Sequence, residues 1–330
     1  MEIYSLGNKD QQGTIDQSSV VINRSFFDNE DEMHLIISPI SDFPALKDII
    51  EFPIKAYLET IDANQFPNVE FYDSLLFLVV NNIIHSDHDE DTLQAREIDL
   101  FLGKSNVMIV YHGDLRELDY AVKRIDKTSI YKALYSFLDA LLDNNKRIIG
   151  EIEQRALALE DQVLRIIQID DNGKPNRPSY QNPDTYMDQL VKLRKELQFL
   201  KAYIEPTQDI IEILEADDAD LIPETYDKYF LKLSLKADRM TIYLNNLRDT
   251  ISQVRESWQA QVDLSFNKTA KLFTVIAAIF LPLTLIVGWY GMNFVYMPEL
   301  YHPNGYPIII GLSLLIITVS LWWFRRNHYI

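Results

Sequence analysis

The sequence predicts an α+β membrane protein: an N-terminal α/β domain, long helices after it, and a C-terminal two-helix transmembrane hairpin. Three observations predict it. Strand-like and helix-like apolar patterns alternate in the first third of the chain. A heptad-spaced seam then runs through a segment free of Pro and Gly. Two uncharged apolar stretches finally lie in tandem near the C-terminus.

Residues 1–127 are expected to form the cytoplasmic α/β domain. Leu75–Val80, Glu97–Leu102 and Val107–His112 read as strands, with Gly103–Asn106 as a hairpin turn. Pro44–Ile50, Pro53–Ile61 and Leu115–Ile125 read as helices, and any strands before Pro44 are weakly marked. Residues 128–223 carry two long cytoplasmic helices, Ser129–Ile169 and Pro183–Leu214, joined by a loop over Asp170–Asn182. From Glu224 to Lys271 nothing breaks a helix. Apolar residues recur there at Tyr226, Phe230, Leu233, Ala237, Met240, Leu244, Leu247, Ile251, Val254 and Trp258, in steps of four and three. This 224–271 stalk is expected to run on into the membrane, giving a rod of roughly 100 Å. Such a rod needs neighbours, and identical subunits are the simplest supply.

Composition narrows the partners. A net charge of -18 excludes a nucleic-acid partner, since little here could neutralise phosphates, and it favours a surface that attracts cations. The chain has no cysteine, which excludes disulfides and thiolate sites and favours oxygen ligands for any metal. Met1-Glu2-Ile3-Tyr4 has neither a basic start nor an apolar run, so the N-terminal part is expected to stay in the cytosol.

Leu272–Tyr290 is 19 residues without a charge and Pro307–Phe324 is 18. At about 1.5 Å per residue each approaches the ~30 Å hydrocarbon core. Trp289, Tyr290, Tyr306, Trp322 and Trp323 mark the ends, as interfacial aromatics do. Lys268 and Lys271 precede the first span and Arg325 and Arg326 follow the second, while the loop over residues 291–305 has no Lys or Arg. By the positive-inside rule both termini are cytoplasmic and the loop faces out. The spans are therefore 272–290 and the start of 306–330, whose end is a short basic tail.

At ~100° per residue, Asp249, Glu256, Asp263 and Asn267 share one helical face away from the seam. That face continues through Ala270, Thr274, Ala277, Leu281, Thr284 and Gly288. Small or hydroxylated residues with one bulky constriction, below which acids follow, suit a stripe lining an ion path. A solvated acidic face above a small-residue packing face is the competing reading.

The motifs then carry a resemblance. Asn267-Lys-Thr-Ala-Lys271, Thr274-Val-Ile-Ala-Ala-Ile-Phe-Leu-Pro-Leu-Thr284, Tyr290-Gly-Met-Asn-Phe294 and Tyr296-Met-Pro-Glu-Leu300 resemble the CorA family of magnesium transporters. The resemblance is dense from Asn267 to Leu300 and thins toward the N-terminus. It implies a homopentamer in the plasma membrane with a cytoplasmic funnel, each subunit giving one pore helix. It implies an outer ring at Asn293 with Gly291 and Met292 beside it, a second asparagine ring at Asn267, and a pore threonine at Thr284. Hydrophobic gate positions match Phe273 and Leu281, the acidic loop residue matches Glu299, and Glu256 matches one acid of an inter-subunit regulatory Mg2+ site, where the family usually has Asp. The ion implied is Mg2+, both transported and regulatory, with Co2+ or Ni2+ as alternative substrates.

Amides suit this task. Mg2+ gives up water reluctantly, and Asn carbonyls accept hydrogen bonds from a hydrated ion without holding it too tightly to leave. As a helix C-cap, Asn293 would also be satisfied. Two acidic stretches are more ordinary. His85-Ser-Asp-His-Asp-Glu-Asp91 reads as a solvated loop, with metal binding as its alternative, and Glu205–Asp227 reads as a charged surface near a turn. Phosphate loops, nucleophile elbows and His-Glu-x-x-His are lacking, so an enzyme is not expected. A zinc, cobalt or nickel carrier of the same superfamily, or a membrane-tethered sensor or scaffold, are the other functions weighed.

Overall fold

The computed structural model describes residues 1–6, 33–63, 65–73, 75–86, 89–165, 183–216, 222–293, 297 and 302–327. Glu299, the loop over Asp170–Asn182 and, within His85–Asp91, all side chains beyond Ser86 lie outside this description. The chain divides into two units, residues 1–162 with 177–254, and residues 163–176 with 255–330.

The first unit is built on a six-stranded sheet: β1 (Glu2–Ser5), β2 (His34–Pro39), β3 (Asn68–Tyr72), β4 (Leu75–Ser86), β5 (Asp89–Leu102) and β6 (Asn106–Tyr111). Their order is β1-β2-β6-β5-β4-β3, with β2 and β6 parallel and every other pair antiparallel. The hairpin expected at Gly103–Asn106 closes with Gly103 N–H donating to the Asn106 carbonyl at 2.8 Å. β4 and β5 run well past the apolar stretches that announce them. Asn81 and Asn82 stay in the ladder opposite Glu97 and Arg96, because strand pairing satisfies the backbone whatever the side chain. β3 is an additional strand, without an apolar run to signal it.

One sheet face meets α1 (Phe43–Leu46) and α2 (Ile54–Ile61), where Phe43, Leu46, Ile50, Phe52 and Ala56 pack with Phe77, Val79, Phe101, Met108 and Val110. α1 is shorter than the expected Pro44–Ile50, and turns carry the chain on from Leu46. Leu115–Ile125 is likewise not one helix. A 3-10 turn (Leu115–Leu118), capped by Asp114 accepting from Arg116 N–H at 2.9 Å, precedes α3 (Asp119–Val122).

The opposite face meets α4 (Ile130–Arg165), whose Asn144 amide donates to Asn82 Oδ1 at 3.2 Å and to the Ile83 carbonyl at 2.7 Å. α5 (Pro183–Ala216) is clamped to α4 by a two-point Arg155–Glu196 pair at 3.1 and 2.6 Å. A 3-10 turn (Glu224–Tyr226) leads into α6 (Asp227–Tyr290), a helix that includes Pro282. The seam residues Phe230, Leu233, Ala237, Met240, Leu244, Leu247, Ile251 and Val254 are buried. Polar links from the same helix show what covers them: Lys236 reaches Asp139 (2.6 Å) and Asp143 (2.7 Å) on α4, and Asp238 accepts from Gln208 on α5 at 3.0 Å. The neighbours this seam requires thus come from its own chain.

The second unit holds the remainder of α6 and α7 (Gly305–Arg326). Both helices carry windows long and apolar enough to cross a membrane, with mean hydropathy 2.3 and 2.1, and only 6% of each window is buried.

Candidate functional site

Beyond Arg255, α6 presents the stripe expected of it to the outside. Glu256, Asp263, Asn267, Thr274, Ala277, Leu281, Thr284 and Gly288 are all exposed. One helix positions them, so their spacing follows from its rise. Glu256 to Asn267 spans roughly 16 Å and Asn267 to Thr284 roughly 25 Å. A shallow apolar groove runs along the upper part. Its floor is made where Ala277, Thr284 and Gly288 are small, and Phe280, Leu281, Leu285, Trp289 and Met292 form its walls. Phe280, Leu285 and Trp289 were not singled out as site residues from sequence. For Leu285 and Trp289 the signal was a row of bulky residues, Leu281, Leu285, Trp289 and Met292, at steps of four and three beside small ones, with Phe280 adjoining it.

Leu281 is 70% exposed and protrudes on the stripe itself. Phe273 is also well exposed, but at ~100° per residue it lies roughly 80° around the helix from Leu281, flanking the stripe. The threonines have a specific electronic arrangement. Thr284 Oγ1 donates to the Phe280 carbonyl at 2.8 Å and Thr274 Oγ1 donates to the Ala270 carbonyl at 2.9 Å. With its proton spent on the helix, each hydroxyl faces outward as an acceptor. Acceptors are what the water coat of a cation seeks.

The end of α6 is closed tightly. Gly291 N–H donates to the Val287 carbonyl at 2.8 Å, and Met292 N–H reaches back only three residues, to Trp289, at 3.4 Å. A Cβ at Gly291 would sit 2.9 Å from the Val287 carbonyl oxygen, so glycine is the residue this closure accepts without a shift. Asn293 follows, exposed, just past the helix end. The last carbonyls of a helix lack intrahelical partners and carry its partial negative charge, which places a cation-favouring field beside the amide.

Of the residues singled out by sequence, the structure sets Glu256, Asn267, Phe273, Leu281 and Thr284 along α6 and Gly291, Met292 and Asn293 at its end. A single chain spreads them in a line and does not converge them on a point. His85, from the other stretch considered for metal, has Nε2 3.0 Å from Glu151 Oε2 on α4.

Comparison with known proteins agrees with this layout. The profile of the family described as "CorA-like Mg2+ transporter protein" matches residues 33–326. The cobalt/magnesium transport protein CorA of Thermotoga maritima is 27% identical over 279 residues, covering 82% of this chain and 75% of that protein. The cobalt/magnesium transport protein CorA of Methanocaldococcus jannaschii is 22% identical over 294 residues, 82% of each chain. The complete structure of the CorA magnesium transporter from Methanocaldococcus jannaschii superposes with a TM-score of 0.74 at 18% identity, covering 100% of this chain and 99% of that one.

Proposed function

The chain belongs to the CorA-like Mg2+ transporter family, and from that premise we propose that it is a homopentameric, channel-like transporter bringing chiefly Mg2+ across the plasma membrane. Both termini are cytoplasmic in this reading. Residues 1–127, 128–223 and 224–271 form the cytoplasmic domain, helices and stalk, 272–290 the pore helix, 291–305 the outer loop, and 306–330 the second span with its basic tail.

The observation that carries the reading is the exposed stripe on α6 that ends at Gly291-Met292-Asn293. Alone, each helix leaves it uncovered; five copies around an axis turn it into the wall of a passage. A hydrated Mg2+ meets the Asn293 amides first, which accept hydrogen bonds from its water. Lower down, Thr284 and then Asn267 offer further acceptors, with Leu281 on the stripe and Phe273 beside it as the apolar constriction. Dewetting at such a constriction stops ions when the ring narrows. Glu299 in the outer loop adds negative charge at the mouth.

Glu256 is the candidate regulatory position. Acids brought together by symmetry repel one another unless a divalent ion bridges them, so internal Mg2+ favours the closed bundle and its loss favours opening. Co2+ transport is the second reading, because the Thermotoga maritima and Methanocaldococcus jannaschii relatives bear cobalt as well as magnesium in their names. Ni2+ shares the hydrated-ion chemistry, and a zinc carrier is the remaining alternative.

The test is uptake into vesicles reconstituted with the purified chain and loaded with a magnesium-sensitive dye. The reading expects Mg2+ entering far faster than in protein-free vesicles, driven by an inside-negative potential. Equal rates in both would reject transport and leave the sensor or scaffold reading in its place.

A further inference from the structure

A cluster in the first unit has no part in this pathway. Glu97 and Asp99 are two apart on β5 and so share a face. β5 pairs with β6 through Ile98 and Tyr111, and His112 continues that register, its N–H donating to the Glu97 carbonyl at 3.1 Å. The face is the one that also carries Phe101 and Val110 under α1 and α2. Three titratable side chains are therefore lodged at the border of an apolar layer, with Asp99 0% exposed.

Their donor atoms converge. One from each residue lies within 4.8 Å of the other two. His112 Nε2 is 3.0 Å from Asp99 Oδ2 and 3.8 Å from Glu97 Oε1. Ligands bonded at ~2.0–2.2 Å to a four-coordinate ion stand roughly 3.3–3.6 Å apart, so the two His112 distances need only a few tenths of an ångström of adjustment, and the Glu97–Asp99 pair, within 4.8 Å, closes by at most about 1.5 Å. A second observation is independent of this spacing. Asp99 Oδ1 is sealed from solvent and accepts no hydrogen bond among the described residues. Buried charges are ordinarily paired or bound to metal, and here an acceptor waits with neither at that atom. From α2, Glu59 brings another carboxylate close enough for its charge to act on Asp99, and Glu59 Oε2 is buried without a hydrogen-bond partner among the described residues too. Burial is the main influence raising the Asp99 pKa. The His112 hydrogen bond and charge oppose it, and the Glu59 charge adds to it. Lys55 Nζ stands 3.6 Å from Glu59 Oε1 but also engages Glu70, and Glu97 Oε2 accepts from Gln65 N–H at 2.5 Å, so the three carboxylates share one imidazole and part of one ammonium.

We propose that Glu97, Asp99 and His112 form an intramolecular site for a first-row transition dication, of the Co2+ or Zn2+ kind. An imidazole nitrogen with two carboxylates suits these ions, whereas Mg2+ prefers oxygen ligands and keeps its water. Occupancy ties β5 and β6 together beneath α2, and so stabilises the unit that holds them.

The experiment uses the full chain in detergent, stripped with chelator and titrated with Co2+ against a constant excess of Mg2+, which fills the Glu256 and pore positions. Expected are a visible d–d absorption that saturates at one Co2+ per chain and a melting temperature that rises over the same range above its value in Mg2+ alone. In His112→Gln the apparent affinity falls tenfold or more, a loss at least as large as removing an outer-shell partner brings. In Asn293→Ala both signals persist, which separates this site from the transport pathway. Should His112→Gln lack a cooperative melt without metal, Glu97→Gln takes its place with the same expectation. Titrations that coincide for wild type and the folded variant, or a wild type showing neither signal, overturn the proposal.

Discussion

The two halves of α6 are both rich in apolar residues, and they dispose of them in opposite ways. Up to Val254 the seam is buried, with α4 and α5 of the same chain covering it. From Arg255 to Tyr290, among the described residues, Val275 alone is buried. Leaving Phe273, Phe280, Leu281, Leu285, Val287 and Trp289 in water would forgo on the order of 10 kcal/mol, comparable with the whole stability of a domain. The first half is therefore a folding element and the second is unfinished surface. Lipid completes part of it. The stripe of small and hydroxylated residues is what lipid does not need, and there the proposed symmetry copies and hydrated ion enter.

Substitutions sharpen this contrast. The largest effect is expected from Asn293→Ala, with Mg2+ uptake into vesicles lost or its preference over other dications broadened; unchanged uptake and selectivity would reject the role given to that amide. Next comes a matched pair. Leu244→Ala empties a fully buried seam position and should destabilise the first unit by about 2–5 kcal/mol in denaturant titrations. Leu281→Ala removes the same atoms from an exposed position and should leave that stability unchanged, while leak through the closed state rises. Similar stability losses in both would erase the distinction between the halves. Glu256→Lys should weaken the inhibition of uptake by internal Mg2+, measured with ion loaded on the cytoplasmic side; full inhibition would remove Glu256 from regulation.

The smallest effect belongs to the α4–α6 ion pairs. Asp143 is partly buried, which by itself would raise its pKa, but hydrogen bonds from Lys236 and Arg124, with their charges, hold it below the usual carboxylate range. A depressed pKa in the folded state contributes stability above the unfolded value, which is lost as pH falls through the folded one. Asp143→Asn should thus cost no more than about 1 kcal/mol at neutral pH, since the carboxylate is partly solvated, and should flatten the acid limb of a stability-against-pH curve. An unchanged acid limb would show that the pair contributes nothing.

Much of this was legible in the residues. The seam, the spans and the mouth motif are local patterns, and periodicity or spacing carries them. β3 was not, because Asn68–Tyr72 has no apolar run and its place at the sheet edge is set by pairing with β4. The long reach of β4 and β5 was missed for a related reason, as Asn81 and Asn82 look like the end of a strand until their partners are known. Glu97 and Asp99 are the sharpest case. On a strand they look like the wet side, and only the cover of α1 and α2 over Phe101 makes that side the buried one. The stripe illustrates the converse limit: its residues could be named from sequence, yet one chain leaves them in a line.

Because the chain contains no cysteine, a single thiol can be placed anywhere along α6 without altering the background. The decisive measurement is block of Mg2+ flux by a charged, membrane-impermeant thiol reagent in vesicles carrying one substitution at a time. Ala277→Cys, Thr284→Cys and Gly288→Cys, on the stripe, are predicted to be blocked and to be protected by high Mg2+, while Ile279→Cys and Ile286→Cys, on the other side of the helix, conduct unaffected. Block that ignores helical position, or that favours Ile279 and Ile286, would contradict a passage lined by this face.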